Sequence, residues 1–190
     1  MKALLRPALA IFGVLTLLTG LIYPMLVTGL GQTLFPSQAG GSIILRDGKP
    51  IGSALIGQNF SDPGHFWGRP SATGPQPFNG VASSGSNQGP LNPALLDAVK
   101  GRVETLRAAQ PGSTQAIPVE LVTASASGLD PHISIAAALF QVPRVAAARN
   151  LPASKVHSLV LEATERPILG ILGEPVVNVL RLNLSLDALR

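Results

Sequence analysis

The stretch Ala8–Leu30, ALAIFGVLTLLTGLIYPMLVTGL, decides how the rest of the chain is read. It carries no charged residue, and the uncharged gap around it runs from Pro7 to Leu45. At about 1.5 Å of rise per residue such a run makes a helix of roughly 35 Å, enough to cross a hydrocarbon core of about 30 Å. Lys2 and Arg6 precede it and no Lys or Arg follows before Arg46, a bias that puts the N-terminus inside and the remainder outside the cytoplasm. Ser37-Gln38-Ala39 before Gly40 offers the rival reading of a cleaved signal sequence. The apolar run is longer than the usual signal core of about 7 to 15 residues, and this favours a retained anchor.

Within the anchor, Gly13, Thr16, Gly20 and Pro24 recur at steps of three and four and stack along one helical face. Small residues on one stripe let a second helix approach closely, although glycine and threonine are also common in single-span anchors. Pro24 removes the amide that would bond the Gly20 carbonyl, so a kink or a substitute partner is expected there.

Beyond the anchor, the 190-residue chain has room for one domain of ordinary size, which sets an organisation of 1–34 for the stub and membrane helix and 35–190 for the domain. Of its 14 basic residues, Lys2 and Arg6 border the membrane, leaving 12 against 10 acidic ones. That balance, with scattered aromatics, gives no groove for nucleic acid. With no cysteine, disulfides, thiolate ligands and a Cys nucleophile are excluded.

The patterns predict a mixed α+β domain. Ser42–Leu45 and Ile51–Gln58 flank Asp47-Gly48-Lys49-Pro50 and read as a β-hairpin. Asn92-Pro93 caps a helix to about Ala109, with Leu95, Leu96, Val99, Val103 and Leu106 on its apolar face. Pro118–Thr123 reads as a strand, and Asp130-Pro131 as the start of a helix through Gln141 that Pro143 restarts over Arg144–Arg149. A further helix runs from about Ala153 to Glu165 with Val156, Leu159 and Val160 inward, and Val176–Leu186 is strand-like. The Gly- and Pro-rich tract from Asp62 to Pro93 cannot be regular helix. Its cluster His65-Phe66-Trp67-Gly68-Arg69-Pro70-Ser71 marks it as an ordered loop packed on the domain or on a partner.

Catalytic signals are weak. Asp130, His132 and Ser125 or Ser127 form a triad only on paper, because Asp130 is wanted by backbone amides at a helix start and no nucleophile elbow is present. The three well-separated histidines offer no metal-ligand spacing, and Ser84–Pro90 lacks the lysine of a phosphate loop. The chain reads as a non-catalytic accessory subunit with no intrinsic cofactor.

The order of several independent motifs carries a resemblance over essentially the whole chain. Leu21-Ile22-Tyr23-Pro24, Gly52–Gln58, Phe66–Ser71, Ser84–Pro90 and Val122–Ser134 are followed by Gly173-Glu174-Pro175, Val177–Leu180 and Leu182-Asn183-Leu184. Together they resemble the KdpC family, the C subunits of the bacterial Kdp potassium-transporting P-type ATPase. The resemblance implies one N-terminal membrane helix, a periplasmic domain and residence in the inner membrane. It also implies three partners: a channel-like potassium-translocating subunit, a P-type ATPase subunit and a very small hydrophobic subunit. The chain has neither an Asp-Lys-Thr-Gly phosphorylation motif nor a Thr-Val-Gly-Tyr-Gly filter, so potassium is handled by a partner.

Two roles are implied by that resemblance. In one, the subunit is a catalytic chaperone that supports assembly and raises the ATP affinity of the ATPase subunit, with a nucleotide contact at Gln141; the plain reading of Gln141 is a helix-end polar residue beside Pro143. In the other, the domain caps the potassium entrance, with Trp67 and Arg69 as partner contacts. Trp67 could equally be a core aromatic, and Arg69 could pair with Asp62 or Glu174. Outside the family, the alternative is an anchored extracytoplasmic module for a small ligand.

Overall fold

The computed structural model describes residues 2–167 and 169–189. The chain separates into two compact units, one ending at Ile51 and the other beginning at Gly52.

The first unit begins with α1 (Lys2–Leu17), a π-helical turn (Leu18–Ile22) and α2 (Tyr23–Leu34) in unbroken succession. The helix over Ala3–Leu34 is 32 residues long and apolar, has no buried residue, and can span a membrane by length and composition. The π turn answers the proline. Tyr23 donates its N–H five residues back to Leu18 O, so the helix widens immediately before Pro24 instead of breaking. Thr19 and Thr33 return their hydroxyls to the carbonyls of Leu15 and Gly29, which leaves no polar side-chain group of theirs facing an apolar surrounding. A short α3 (Pro36–Ala39) follows. Strands β1 (Ile43–Arg46) and β2 (Lys49–Ser53) then form a hairpin whose second arm begins at Lys49, inside the expected four-residue turn, and ends at Ser53 instead of Gln58. Asp47 and Gly48 both take positive φ, as a two-residue hairpin turn requires.

In the second unit, α4 (Pro93–Ala109) starts as predicted, with Asn92 accepting from the Ala94 amide at 3.0 Å. Its apolar face is only partly covered: Leu106 is buried, Val99 and Val103 pack at the core margin, and Leu96 is exposed. The segment expected as a strand from Pro118 is instead a 3₁₀ turn (Val119–Leu121). A strand would point the adjacent Leu121 and Val122 to opposite faces, yet both are buried in one core.

The predicted helix start at Asp130-Pro131 is corrected as well. His132–Ser134 is β3, and α5 (Ile135–Arg149) begins after it with Ser134, whose Oγ accepts from the Ala137 amide, as the cap. Asp130 Oδ1 accepts from the His132 amide within the preceding turn. Pro143 lies inside α5, which continues through it without the predicted restart. α6 (Ala153–Glu162) buries Val156 and Val160 and stops short of Glu165, because β4 (Thr164–Glu165) turns into the sheet.

The strand-like reading of Val176–Leu186 holds only for β5 (Val176–Asn178). From Val179 to Ala188 the chain is α7, capped by Asn178 Oδ1 on the Arg181 amide. Val179, Leu182, Asn183 and Leu186 are buried at steps of three and four, a helical period hidden behind the β-branched residues that open the segment. The sheet is antiparallel in the order β3-β5-β4, with Ile133 and Thr164 flanking Val177 on either side. α5, α6, α7 and this sheet enclose one apolar core around Phe66, Ile133, Val145, Val156, Val160, Leu182 and Leu186.

Candidate functional site: a docked loop and the recess beside it

Phe66 is the one core residue of that group contributed by the Gly/Pro-rich tract, and it is completely buried. A loop that buries an aromatic side chain also takes its own peptide groups out of water, and those groups need partners. Here the partners are side chains. Trp67 Nε1 donates to Asp62 O at 2.8 Å, Arg144 Nη1 to Pro63 O and His65 O at 2.5 and 3.0 Å, and Arg149 Nε to Gly64 O at 2.6 Å. Asn183 takes both peptide groups of Phe66, accepting from its N–H at 2.8 Å and donating to its carbonyl at 3.0 Å. Gln141 does the same for Trp67, at 2.8 and 3.0 Å. Every carbonyl from Asp62 through Trp67 is thus held by a side chain rather than by a strand or helix.

Gln141 is therefore no helix-end residue. It sits inside α5 and is fully buried. Its Oε1 also accepts from Arg144 Nη2 at 2.6 Å, and its Nε2 also reaches Ala137 O at 3.2 Å, so both ends of the carboxamide are spent within the protein. Arg144 completes the clamp by stacking its guanidinium over the Trp67 ring, 4.2 Å from the centroid. Burial pulls its pKa down to about 10, with Asp62 opposing, which still leaves it charged at neutral pH. Trp67 itself is half-buried, neither a plain core aromatic nor a free surface one.

A second cluster holds the start of the loop. Arg149 Nη2 donates to Asp187 Oδ1 at 2.6 Å, and His65 Nε2 lies 2.8 Å from Arg149 Nη2 and 3.3 Å from Asp187 Oδ1. Burial pushes the Asp187 carboxyl up, but the hydrogen bond and charge of Arg149, together with His65, outweigh it and hold it below the usual 3.8.

Arg69 pairs with neither Asp62 nor Glu174. Its Nη1 binds Asp130 Oδ2 at 3.2 Å and its Nη2 reaches Ala124 O at 3.4 Å, while its Nε is buried and has no hydrogen-bond partner among the described residues. Past Arg69 the tract stays ordered against the 125–129 turn. Ser71 Oγ donates to Gly128 O at 2.7 Å, and Ser84 N to Ser127 O at 3.0 Å. Gly128 is required there: its φ is +67°, and a Cβ would meet Ser84 O at 2.7 Å.

Between the Trp67–Ser71 segment, the Gln58–Phe60 segment and α4 lies a recess of about 160 Å³, lined in part by Trp67, Arg69, Arg102 and Thr105. Arg102 donates one bond, Nη1 to Val122 O at 2.8 Å, and burial lowers its pKa.

The paper triad does not assemble. Ser125 Oγ is buried without a hydrogen-bond partner among the described residues, and Ser127 Oγ accepts from the Leu129 amide at 3.1 Å. His132 faces Asp130 and Glu165 at 3.7 and 3.9 Å. Among the described residues no three His, Asp or Glu side chains are grouped to hold a metal. In the anchor, a Cβ added at Gly13 or Gly20 would meet nothing within 4 Å, so their face is open. A π turn takes one more residue to close than an α turn, so Pro24 departs from the register with Gly13 and Thr16 that an unbroken α-helix would give.

An apolar helix able to span a membrane is joined to an α+β unit whose polar centre is spent on holding a loop, the build of an accessory chain. Residues 5–188 match the family model described as KdpC: K+-transporting ATPase, c chain. A potassium-transporting ATPase KdpC subunit of Polaromonas naphthalenivorans is 70% identical over 190 residues, covering 100% of this chain and 97% of the relative. Subunits with the same description from Ralstonia nicotianae and Methylococcus capsulatus are 66% and 63% identical, covering 98% and 97% of this chain and 92% and 97% of theirs. The chain belongs to the KdpC family, accessory subunits of the potassium-transporting ATPase.

Proposed function

We propose that this subunit serves a high-affinity, ATP-driven potassium uptake complex of the bacterial inner membrane, crossing once with its N-terminus in the cytoplasm and its α+β unit in the periplasm. Lys2 and Arg6 ahead of the uncharged helix support that orientation. Its partners are the potassium-translocating subunit, the P-type ATPase subunit and the small hydrophobic subunit. Its work is assembly and coupling, with the loop around Trp67 and Arg69 as the contact.

The observation that carries this reading is the sealing of Gln141 onto Trp67. A carboxamide whose donors and acceptor are all engaged inside the core acts by positioning the loop, and has no free polar atom to offer ATP. A periplasmic Gln141 is also separated from cytoplasmic nucleotide. Any rise in ATP affinity of the ATPase subunit then comes from the accessory subunit binding one pump state more tightly than another. The same contact could shape potassium entry by standing over the translocating subunit.

The test compares Trp67→Ala and Gln141→Ala in the full-length chain, co-expressed with the other subunits. Both should reduce recovery of the complex and its potassium-stimulated ATPase activity, while the chain alone shows no saturable ATP binding. Saturable ATP binding by the chain alone that disappears in Gln141→Ala would replace this reading with direct nucleotide contact.

A further inference from the structure

The recess beside the docked loop is charged in one sense only. Arg69 and Arg102 line it from the loop and from α4, and none of its lining residues is Asp or Glu. Asp130 compensates Arg69 from outside the recess lining, at 3.2 Å, whereas Arg102 makes no ion pair among the described residues. Arg102 therefore keeps donors to spare.

Size narrows the occupant. About 160 Å³ is well below the roughly 300 Å³ and upward of ordinary small-molecule sites. It suits an inserted side chain. Trp67 and Phe60 supply apolar walls for an aliphatic stem, and two guanidiniums suit a carboxylate, which Arg binds through paired, charge-assisted N–H donors.

We propose that this recess is a socket for an Asp or Glu side chain of a neighbouring subunit, gripped by Arg102 with Arg69. The proposal rests on the assembly reading above and names the chemistry of the partner at that contact. Arg102 is the decisive residue because no carboxylate among the described residues pairs with it.

The test uses the full-length chain co-expressed with the other subunits of the ATPase, reading the amount of complex recovered and the melting temperature of the chain alone. Arg102→Glu should cut recovery at least tenfold, and Arg102→Lys, which keeps the charge, should lose far less. Thr105→Glu provides a variant that removes nothing from the core. Thr105 is exposed, lies one turn beyond Arg102 on α4, and as glutamate would fill the socket from within. It should also cut recovery tenfold with unchanged melting, whereas Thr105→Gln should not. If Arg102→Glu lowers the melting temperature, Thr105→Glu alone decides. Full recovery with Thr105→Glu overturns the socket. In that event, loss of the complex in Trp67→Ala leaves the assembly role standing, and full recovery in Trp67→Ala removes both.

Discussion

The helix Ala3–Leu34 and the loop Asp62–Trp67 meet the same demand, that backbone polar groups be paired, in opposite ways. The helix pairs its peptide groups within itself, even across Pro24, and turns wholly exposed apolar side chains outward. The loop buries Phe66 and delegates its peptide groups to Arg144, Arg149, Asn183 and Gln141, residues far away in sequence. The first segment is stable by local rules in any apolar surrounding. The second exists only because α5 and α7 supply the matching donors, so its shape is a property of the whole unit.

The largest blow to this contrast is Arg144→Met. It strips Pro63 O, His65 O and Gln141 of a charged donor and removes the cation from the Trp67 ring. A loss of about 3 to 5 kcal/mol is expected by urea denaturation, and a loss under about 1 kcal/mol would show that the loop holds itself. Asn183→Leu, which keeps the branched shape but leaves both peptide groups of Phe66 unpaired, should cost about 2 to 4 kcal/mol and speed hydrogen exchange at the Phe66 amide.

Acid acts more gently. The Asp187 carboxylate is held below 3.8 in the folded chain, so the unfolded chain takes up the proton first as pH falls. Its contribution is full above about pH 4 and is lost below it, as the pH falls through the lower folded value. Asp187→Asn should flatten that acid limb and lower stability at neutral pH; an unchanged limb would remove the Arg149–Asp187 pair from the loop's support. The smallest effect on stability belongs to the helix. Gly13→Leu with Gly20→Leu should leave melting of the second unit unchanged within about 0.5 kcal/mol, since nothing lies within 4 Å of either position. The same pair should reduce co-purification of partner subunits, and undiminished recovery would end the case for a helix seam.

The contrast also explains what can be read from residues alone. Ala8–Leu30, Asp47-Gly48 and Asn92-Pro93 are local signals, and the helix, the centre of the hairpin turn and the start of α4 stand where they predict. The start of α5 is masked because Asp130-Pro131 imitates a cap, while Ser134 performs the capping after three residues of strand. α7 is masked because Val176-Val177 set a strand pattern that Asn178 ends by capping a helix. The density of large side chains from His65 to Ser71 does reveal an ordered loop. Its partners are not legible, because a lone Gln141 or Asn183 in an apolar pattern signals only that a buried amide needs something to bond. The pairing of Arg69 with Asp130 likewise spans residues that no spacing rule connects.

The clamps on Phe66 and Trp67 join residues 117 and 74 positions apart in the chain. Chain closure over such separations sacrifices entropy before any contact rewards it. The native clamp on Phe66 consequently closes only when the C-terminal helix α7 has been synthesised and seated. A nascent chain has its apolar helix long before it has this surface, so the segment able to span a membrane is ready first, and the part that presents Trp67 is withheld until α7 has formed.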